Sequence, residues 1–278
     1  MPRFADIRGQ DRAHDLLRRA AASDRLPHAL LFHGAKGTGK TSTAFALAQF
    51  LNCEAPAEDA CGACSSCRKT DRFQHPDVRW IFPMPGSLKG DKRGKHIRET
   101  MDERAAGGVH ALSYPSAASI AIGRDEDTRA GSVGELRKQS QYAPVEARVK
   151  VFVVSDAERM RFEAANSLLK VLEEPPANNL LILTTERPGE LLDTIVSRCQ
   201  SIRFRDLSED EIAALLVERV QINVPVPGKR KPETRAPEAK EAALAAALAR
   251  GSLSRAALLV QENVVEVRDR ALAFLSLP

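Results

Sequence analysis

The chain has 278 residues, 43% of them hydrophobic and 28% charged, which is the composition of a globular protein with room for a full α/β domain and a smaller unit. A formal net charge of +4 permits contact with nucleic acid without arguing for it, because acidic residues are interspersed with basic ones. No apolar run approaches the roughly 18 residues of a membrane span, and Met1-Pro2-Arg3-Phe4-Ala5-Asp6 lacks a signal-peptide core, so a cytoplasmic protein with no membrane contact is expected.

In chain order, Gln10 to Ala22 places Ala13, Leu16, Leu17 and Ala20 at helical spacing. Ala29–Phe32 is a short apolar strand that runs into Gly34-Ala35-Lys36-Gly37-Thr38-Gly39-Lys40-Thr41, a complete G-x-x-x-x-G-K-[ST]. Glycines at this spacing let successive backbone N–H groups turn toward phosphate oxygens. Lys40 can reach the β- and γ-phosphates, and the Thr41 hydroxyl can bind Mg²⁺. Ser42 to Leu51 reads as a helix whose N-terminus faces the phosphate charge. A chance Gly-rich turn is the bland alternative, and the strand before and helix after argue against it. The candidate nucleotide-binding residues are Gly34, Gly37, Thr38, Gly39, Lys40, Thr41 and Ser42.

Four of the five cysteines, Cys53, Cys61, Cys64 and Cys67, follow as C-x7-C-x2-C-x2-C. In a reducing compartment such a cluster points to metal rather than disulfides. Four thiolates suit tetrahedral Zn²⁺ in a closed structural site, with an iron–sulfur cluster or four unrelated thiols as the alternatives. Cys199 stands apart and reads as a small buried apolar residue.

Val78–Phe82 is a second strand. From Pro83 to about Gly131 the pattern fails, and the stretch reads as a long loop or flexible insert with a short helix around His96–Arg104. Its basic half, Ser87 to Lys95, could touch a nucleic-acid backbone or simply be a solvated excursion. Order returns with a helix from Val133 to about Tyr142 and a near-continuous apolar strand, Val149–Val154, of the kind found in parallel sheets covered on both faces. Asp156 stands just past it, where a phosphate-loop protein carries an acid that organises Mg²⁺ and water. Capping the next helix is its structural alternative. Ala164–Leu172 is a helix stopped by Pro175-Pro176, Leu180–Thr185 a buried strand, Leu191–Arg198 a short helix and Ser201–Phe204 a short strand. An arginine such as Arg198 at a helix end is, on its own, usually a surface salt bridge.

After about Arg205 only helices are expected: Glu209–Val220, Glu241–Arg250, Ser254–Gln261 and Arg268–Leu275, with a Pro/charged linker at Val224–Glu238. The fold class is therefore α/β, a P-loop NTPase parallel sheet with helices on both faces. The expected domains are 1–205, with a knuckle at 53–67 and an insert at about 83–131, and a helical domain at 206–278.

Three stretches together resemble the clamp-loader branch of the AAA+ ATPases. They are Arg25-Leu26-Pro27-His28-Ala29-Leu30-Leu31-Phe32 with the phosphate loop, Ala164-Ala165-Asn166-Ser167-Leu168-Leu169-Lys170-Val171-Leu172-Glu173-Glu174-Pro175-Pro176, and Leu183-Thr184-Thr185-Glu186-Arg187-Pro188 continuing to Thr194-Ile195-Val196-Ser197-Arg198-Cys199-Gln200. A four-cysteine knuckle after the phosphate-loop helix is also a feature of the bacterial members. The resemblance covers nearly the whole chain apart from the insert and the linker. It implies ATP, Mg²⁺ and Zn²⁺ as cofactors, a hetero-oligomer with the gamma/tau and delta subunits of a bacterial DNA polymerase III, and a role in loading the sliding clamp onto primed DNA. It assigns Arg198 to a neighbour's ATP in trans, Thr185 or Thr184 to a sensor, Arg255 to the lid's sensor, and Ile7-Arg8-Gly9-Gln10 to the neighbourhood of the adenine.

Within that branch the motor subunits carry two consecutive acids where this chain has Ser155-Asp156, so Asp156 belongs to a degenerate acidic site and the likeness is to a non-motor subunit. The whole phosphate loop is a departure, since some non-motor members have lost it. A second departure is the end at Pro278, soon after the lid-like helices, where members usually continue into a collar domain. A truncated form or a reduced collar contribution is the expectation. The rivals are a gamma/tau-type motor hydrolysing its own ATP, an independent P-loop kinase, for which no acceptor pocket is legible, and a zinc-based nucleic-acid binder, for which only Arg68 and Lys69 adjoin the knuckle.

Overall fold

The structure is a computed structural model that describes residues 3–106, 115, 117–224, 233–263 and 268. Contacts divide it into two compact units, one built on the chain up to Phe204, the other on Arg205 onward together with Ala35–Thr38.

The first unit begins with α1 (Asp11–Ala22) and β1 (Ala29–His33), followed by α2 (Lys40–Asn52), α3 (Ser65–Asp71), β2 (Val78–Ile81), α4 (Gly90–Ala105), α5 (Glu126–Arg129), α6 (Val133–Ser140), β3 (Lys150–Val154), α7 (Phe162–Glu173), β4 (Asn179–Thr185), α8 (Asp193–Val196) and β5 (Gln200–Arg203). The five strands form one sheet in the order β2-β3-β4-β1-β5, and every neighbouring pair is parallel. β1 is therefore an interior strand, between β4 and β5. Helical crossovers cover both faces of such a sheet, so β3 has no exposed residue and Leu30, Leu31 and Phe32 of β1 are almost completely buried. On one face Leu31, Phe152, Val154 and Leu183 pack with Leu168, Leu172 and Ile195 of the helices, and the partly buried Cys199 joins this cluster. Burial pushes the Cys199 thiol up to about 12, as expected of an inert core thiol.

The second unit contains α9 (Glu209–Arg219), β6 (Ile222–Val224), β7 (Glu233–Arg235), α10 (Ala239–Ala249) and α11 (Leu253–Gln261). Its core pairs Ile212, Leu215 and Leu216 with Ala242, Ala245, Ala246, Ala256 and Ala257. Small residues on two of the three helices let their axes approach closely. α9 starts at a reciprocal cap: Glu211 N–H donates to Ser208 Oγ at 3.2 Å, and Ser208 N–H donates to the Glu211 carboxylate at 2.8 Å.

Two expectations are corrected. The stretch 83–131 is not a plain loop: α4 is 16 residues long and starts well before His96. Further on, Met84 bridges Ser119 and Ile120 bridges Met160, so this part returns to the sheet unit with Ala118 and Ile120 buried. Gly90, Gly94 and a run of charges hide the helix in the sequence; the tie from buried Arg93, whose Nε donates to Ala130 O at 2.6 Å, is tertiary. The second unit is also not purely helical, because β6 and β7 pair antiparallel at the two ends of the expected linker. The helix expected at Arg268–Leu275 lies outside the described residues apart from Arg268. Among the described residues no helix is long and apolar enough to cross a membrane.

Candidate nucleotide site and metal centre

The phosphate loop leaves the carboxyl end of the interior strand β1 and enters α2, where open α/β sheets bind ligands. Gly34 has φ +146°, and a Cβ there would meet Phe204 O at 2.4 Å; Gly39, at φ +94°, caps α2. Both positions favour glycine. Thr38 Oγ1 donates to Ala35 O at 2.9 Å within the loop. Lys40 is buried and its Nζ donates to Gly34 O at 2.7 Å, so the ammonium lies over the loop. Thr43 N–H donates to Gly39 O at 2.8 Å, which leaves the N–H groups of Lys40, Thr41 and Ser42 as the first-turn donors of α2. The Ile7 side chain lies against Gly39.

At the end of β3 the residue nearest Thr41 is a serine. Ser155 at the end of β3 is almost fully buried. Its Oγ lies 3.4 Å from Thr41 Oγ1 and accepts from Trp80 Nε1 at 2.9 Å. A hydroxyl, not a carboxylate, thus faces Thr41. Asp156 follows in the left-handed region at φ 52° and precedes a short 3-10 turn with no side-chain cap bond; its N–H donates to Thr184 Oγ1 at 3.3 Å. Glu158 turns toward the Glu186 N–H at 3.4 Å. Thr184 and Thr185 are both buried, and Thr185 Oγ1 accepts from Arg187 N–H at 3.0 Å. Burial, then Arg203 and Lys40, push the His33 imidazole below its usual range, so it stays neutral beside the loop.

Arg198 is not among these groups. Its guanidinium pairs with Glu173 at 3.1 Å on the surface and donates to Thr194 O at 3.1 Å. Arg255 is in the second unit, exposed, with its N–H on the Ser252 hydroxyl at 3.2 Å.

The structure gathers all four cysteines expected to bind metal, with their sulfurs within 4.8 Å of one another. Cys61 Sγ lies 3.9 Å from Cys67 Sγ, against the ~3.8 Å that two Zn–S bonds of ~2.3 Å subtend tetrahedrally. Backbone N–H groups point at the sulfurs: Ala63 and Cys64 donate to Cys61 at 3.4 and 3.3 Å, and Cys67 to Cys64 at 3.4 Å. The first two hold the Cys61 thiol down to about 6, whereas burial pushes Cys53 and Cys67 up. A cation is what permits all four to be thiolates at once, and the donor set fits a thiophilic tetrahedral ion.

Two residues near the nucleotide site escape sequence reasoning. Trp80 reads only as a strand residue, and Arg104, whose Nη2 donates to Ser42 Oγ at 2.9 Å, falls in the stretch read as an insert.

Fold and site together define a protein of the P-loop NTPase fold. The sequence model of the family described as DNA polymerase III, delta subunit, matches residues 9–208, and the chain belongs to that family. It is 32% identical to the DNA polymerase III subunit delta' of Bacillus subtilis over 76% of its length and 52% of the relative's. It is 35% identical to the subunit gamma/tau of Mycobacterium bovis over 77% of its length and 30% of the relative's. The chain thus spans about half, or less, of the length of these relatives. Among solved structures, the RuvB Holliday junction branch migration motor of Thermotoga maritima aligns with a TM-score of 0.50 at 14% identity, covering 96% of this chain and 66% of that one.

Proposed function

We propose that this chain is the delta-prime-type, non-motor subunit of a bacterial DNA polymerase III clamp loader. It binds ATP at the phosphate loop without turning it over efficiently, and it holds Zn²⁺ at Cys53, Cys61, Cys64 and Cys67. In this reading it assembles in the cytoplasm with gamma/tau and delta subunits and assists loading of the sliding clamp onto primed DNA. The observation that carries the reading is the hydroxyl of Ser155 facing Thr41, with Trp80 donating to it. Hydrolysis needs a group that organises the metal and the attacking water, and a neutral hydroxyl engaged by an indole N–H supplies no charge for that. Membership of the delta-subunit family supports the same assignment.

Arg198 then acts on a neighbour. Its counter-ion Glu173 is half exposed, so the pair exchanges readily for a stronger anion such as a γ-phosphate. Asp156 and Thr185 are the accessory groups of the phosphate-loop site, and Arg255 keeps the lid-sensor role that the family resemblance implies. The phosphate-loop residues Gly34, Gly37, Thr38, Gly39, Lys40, Thr41 and Ser42 hold the nucleotide, with Mg²⁺ at Thr41.

The intact phosphate loop and the gamma/tau likeness favour a second reading, a motor that hydrolyses its own ATP. Steady-state turnover of the isolated chain with Lys40→Ala as control separates the two: rapid, Lys40-dependent hydrolysis selects the motor. Reconstitution with gamma/tau and delta then tests the trans role, with Arg198→Ala expected to lower clamp- and DNA-stimulated ATPase by ~10³-fold or more. Unchanged ATPase rejects it.

A further inference from the structure

The helix α4 is tied at both ends. A cavity of about 480 Å³ lies between it and the sheet edge, lined by Phe73, Trp80, Ile97, Met101, Leu136 and Phe152. At the N-terminal end Arg93 is bonded to the Ala130 carbonyl. At the C-terminal end the Arg104 guanidinium donates to Ser42 Oγ at 2.9 Å. Ser42 follows Thr41 immediately, in the first turn of α2, whose N–H groups face the phosphate position. A guanidinium remains charged throughout the working pH range.

We infer that Arg104 is a phosphate-positioning residue of the nucleotide site, delivered in cis by α4. The inference rests on the nucleotide-binding reading above. A nucleoside triphosphate brings several negative charges, and an acid-coordinated metal is the usual way to offset them. Here Ser155 replaces that acid, so fixed cations carry more of the load. Lys40 is one, and Arg104, bonded to the residue that follows Thr41, is the second. Its reach through Ser42 places it beside the part of the phosphate chain nearest the helix.

The test uses the full chain, a fluorescent mant-ATP probe and inorganic tripolyphosphate as competitor, so that only phosphate recognition is read. Arg104→Gln can keep a hydrogen bond to Ser42 but loses the charge. It should raise the competition constant of tripolyphosphate about tenfold, the equivalent of one charge-assisted contact. Arg104→Lys should stay within about threefold of wild type, since it keeps the charge without the fork. Neither should move the melting temperature without ligand. Wild-type competition in Arg104→Gln, beside a large loss in Lys40→Ala, overturns the role of Arg104 and leaves nucleotide binding intact. Equal losses in the Gln and Lys variants with a lowered ligand-free melting temperature overturn it in favour of a simple anchor for α4. Failure of mant-ATP to bind, or binding indifferent to Lys40→Ala, removes the nucleotide reading and this inference with it.

Discussion

Trp80 donates its indole N–H to Ser155 at 2.9 Å, and the same hydroxyl lies 3.4 Å from Thr41. Trp80 is the chain's sole tryptophan, so the sheet edge carries an optical reporter two hydrogen bonds from Thr41. Nucleotide binding with Mg²⁺ re-orients the Thr41 hydroxyl and hence the partner of Ser155, which changes the polarity sensed by the indole. A saturable shift in tryptophan emission on ATP addition is expected, absent in Lys40→Ala. In Ser155→Ala the shift should shrink even at saturating ATP, because the bridge is gone. Emission that ignores ATP while mant-ATP binds would show that the bridge does not respond to the site.

Arg198 and Glu173 are 36% and 50% exposed at their side chains. Exposed pairs are worth ~0–1 kcal/mol, so Arg198→Ala and Glu173→Ala should each leave the urea-unfolding free energy of the isolated chain within about 1 kcal/mol of wild type. That outcome matters for the complex, where any loss of ATPase in Arg198→Ala must not come from a weakened fold. A larger destabilisation would mean that the arginine supports the end of α7 instead.

The four sulfurs are gathered within 4.8 Å with backbone N–H groups aimed at them. One Zn²⁺ per chain is expected by elemental analysis, and Co²⁺ exchange should give the bands of a tetrathiolate site. Cys61→Ser and Cys67→Ser should lose the metal and lower the melting temperature. The buried Cys67 should cost more than Cys61, because its replacement also places a hydroxyl in an apolar pocket. Iron in place of zinc would redirect the assignment to a cluster.

Most of the sheet was legible because β1, β3 and β4 are each built on a short apolar run, and buried parallel strands need nothing more. The phosphate loop and cysteine knuckle were legible because their function fixes residue type and spacing together. What stayed hidden depends on partners distant in sequence. Ser155 looks like a gap in an acidic motif until Trp80, 75 residues away, is found holding it. α4 looks like loop because Gly90, Gly94 and the lysines Lys89, Lys92 and Lys95 sit in and just before its first turns, and its ties through Arg93 and Arg104 are tertiary. The β6–β7 pair escaped for the same reason, since each strand has three residues and gains its hydrogen bonds from the other.

Acid stability offers the last test, and two groups divide the pH range between them. His14 is buried, its Nε2 3.1 Å from Thr43 Oγ1. Burial, then the nearby Arg18 charge, push its pKa down to about 4. Between about 6.5 and about 4 the unfolded chain therefore binds a proton that the folded chain refuses, so stability falls as pH falls, by up to about 3 kcal/mol from this group. His75 and His33 are also pushed below their usual range, in both cases first by burial, and steepen the same limb. Asp77 works lower. Burial pushes its carboxyl up, but the N–H groups of Glu146, Val145 and Ala147 and the charge of Lys150 outweigh that and hold it below the usual carboxylate range. Its contribution is complete above the unfolded pKa near 4 and disappears as pH falls through the folded value. Urea titrations from pH 7 to pH 3 should therefore show His14→Phe flattening the limb between 6.5 and 4 while leaving the lower limb intact. Asp77→Asn should flatten only the lower limb, at a constant cost of about 2–4 kcal/mol at neutral pH, because Lys150 is left buried without its carboxylate. A His14→Phe profile with the full wild-type slope would show that His14 titrates in the folded chain as it does in the unfolded one, and that its burial is relieved before the chain unfolds.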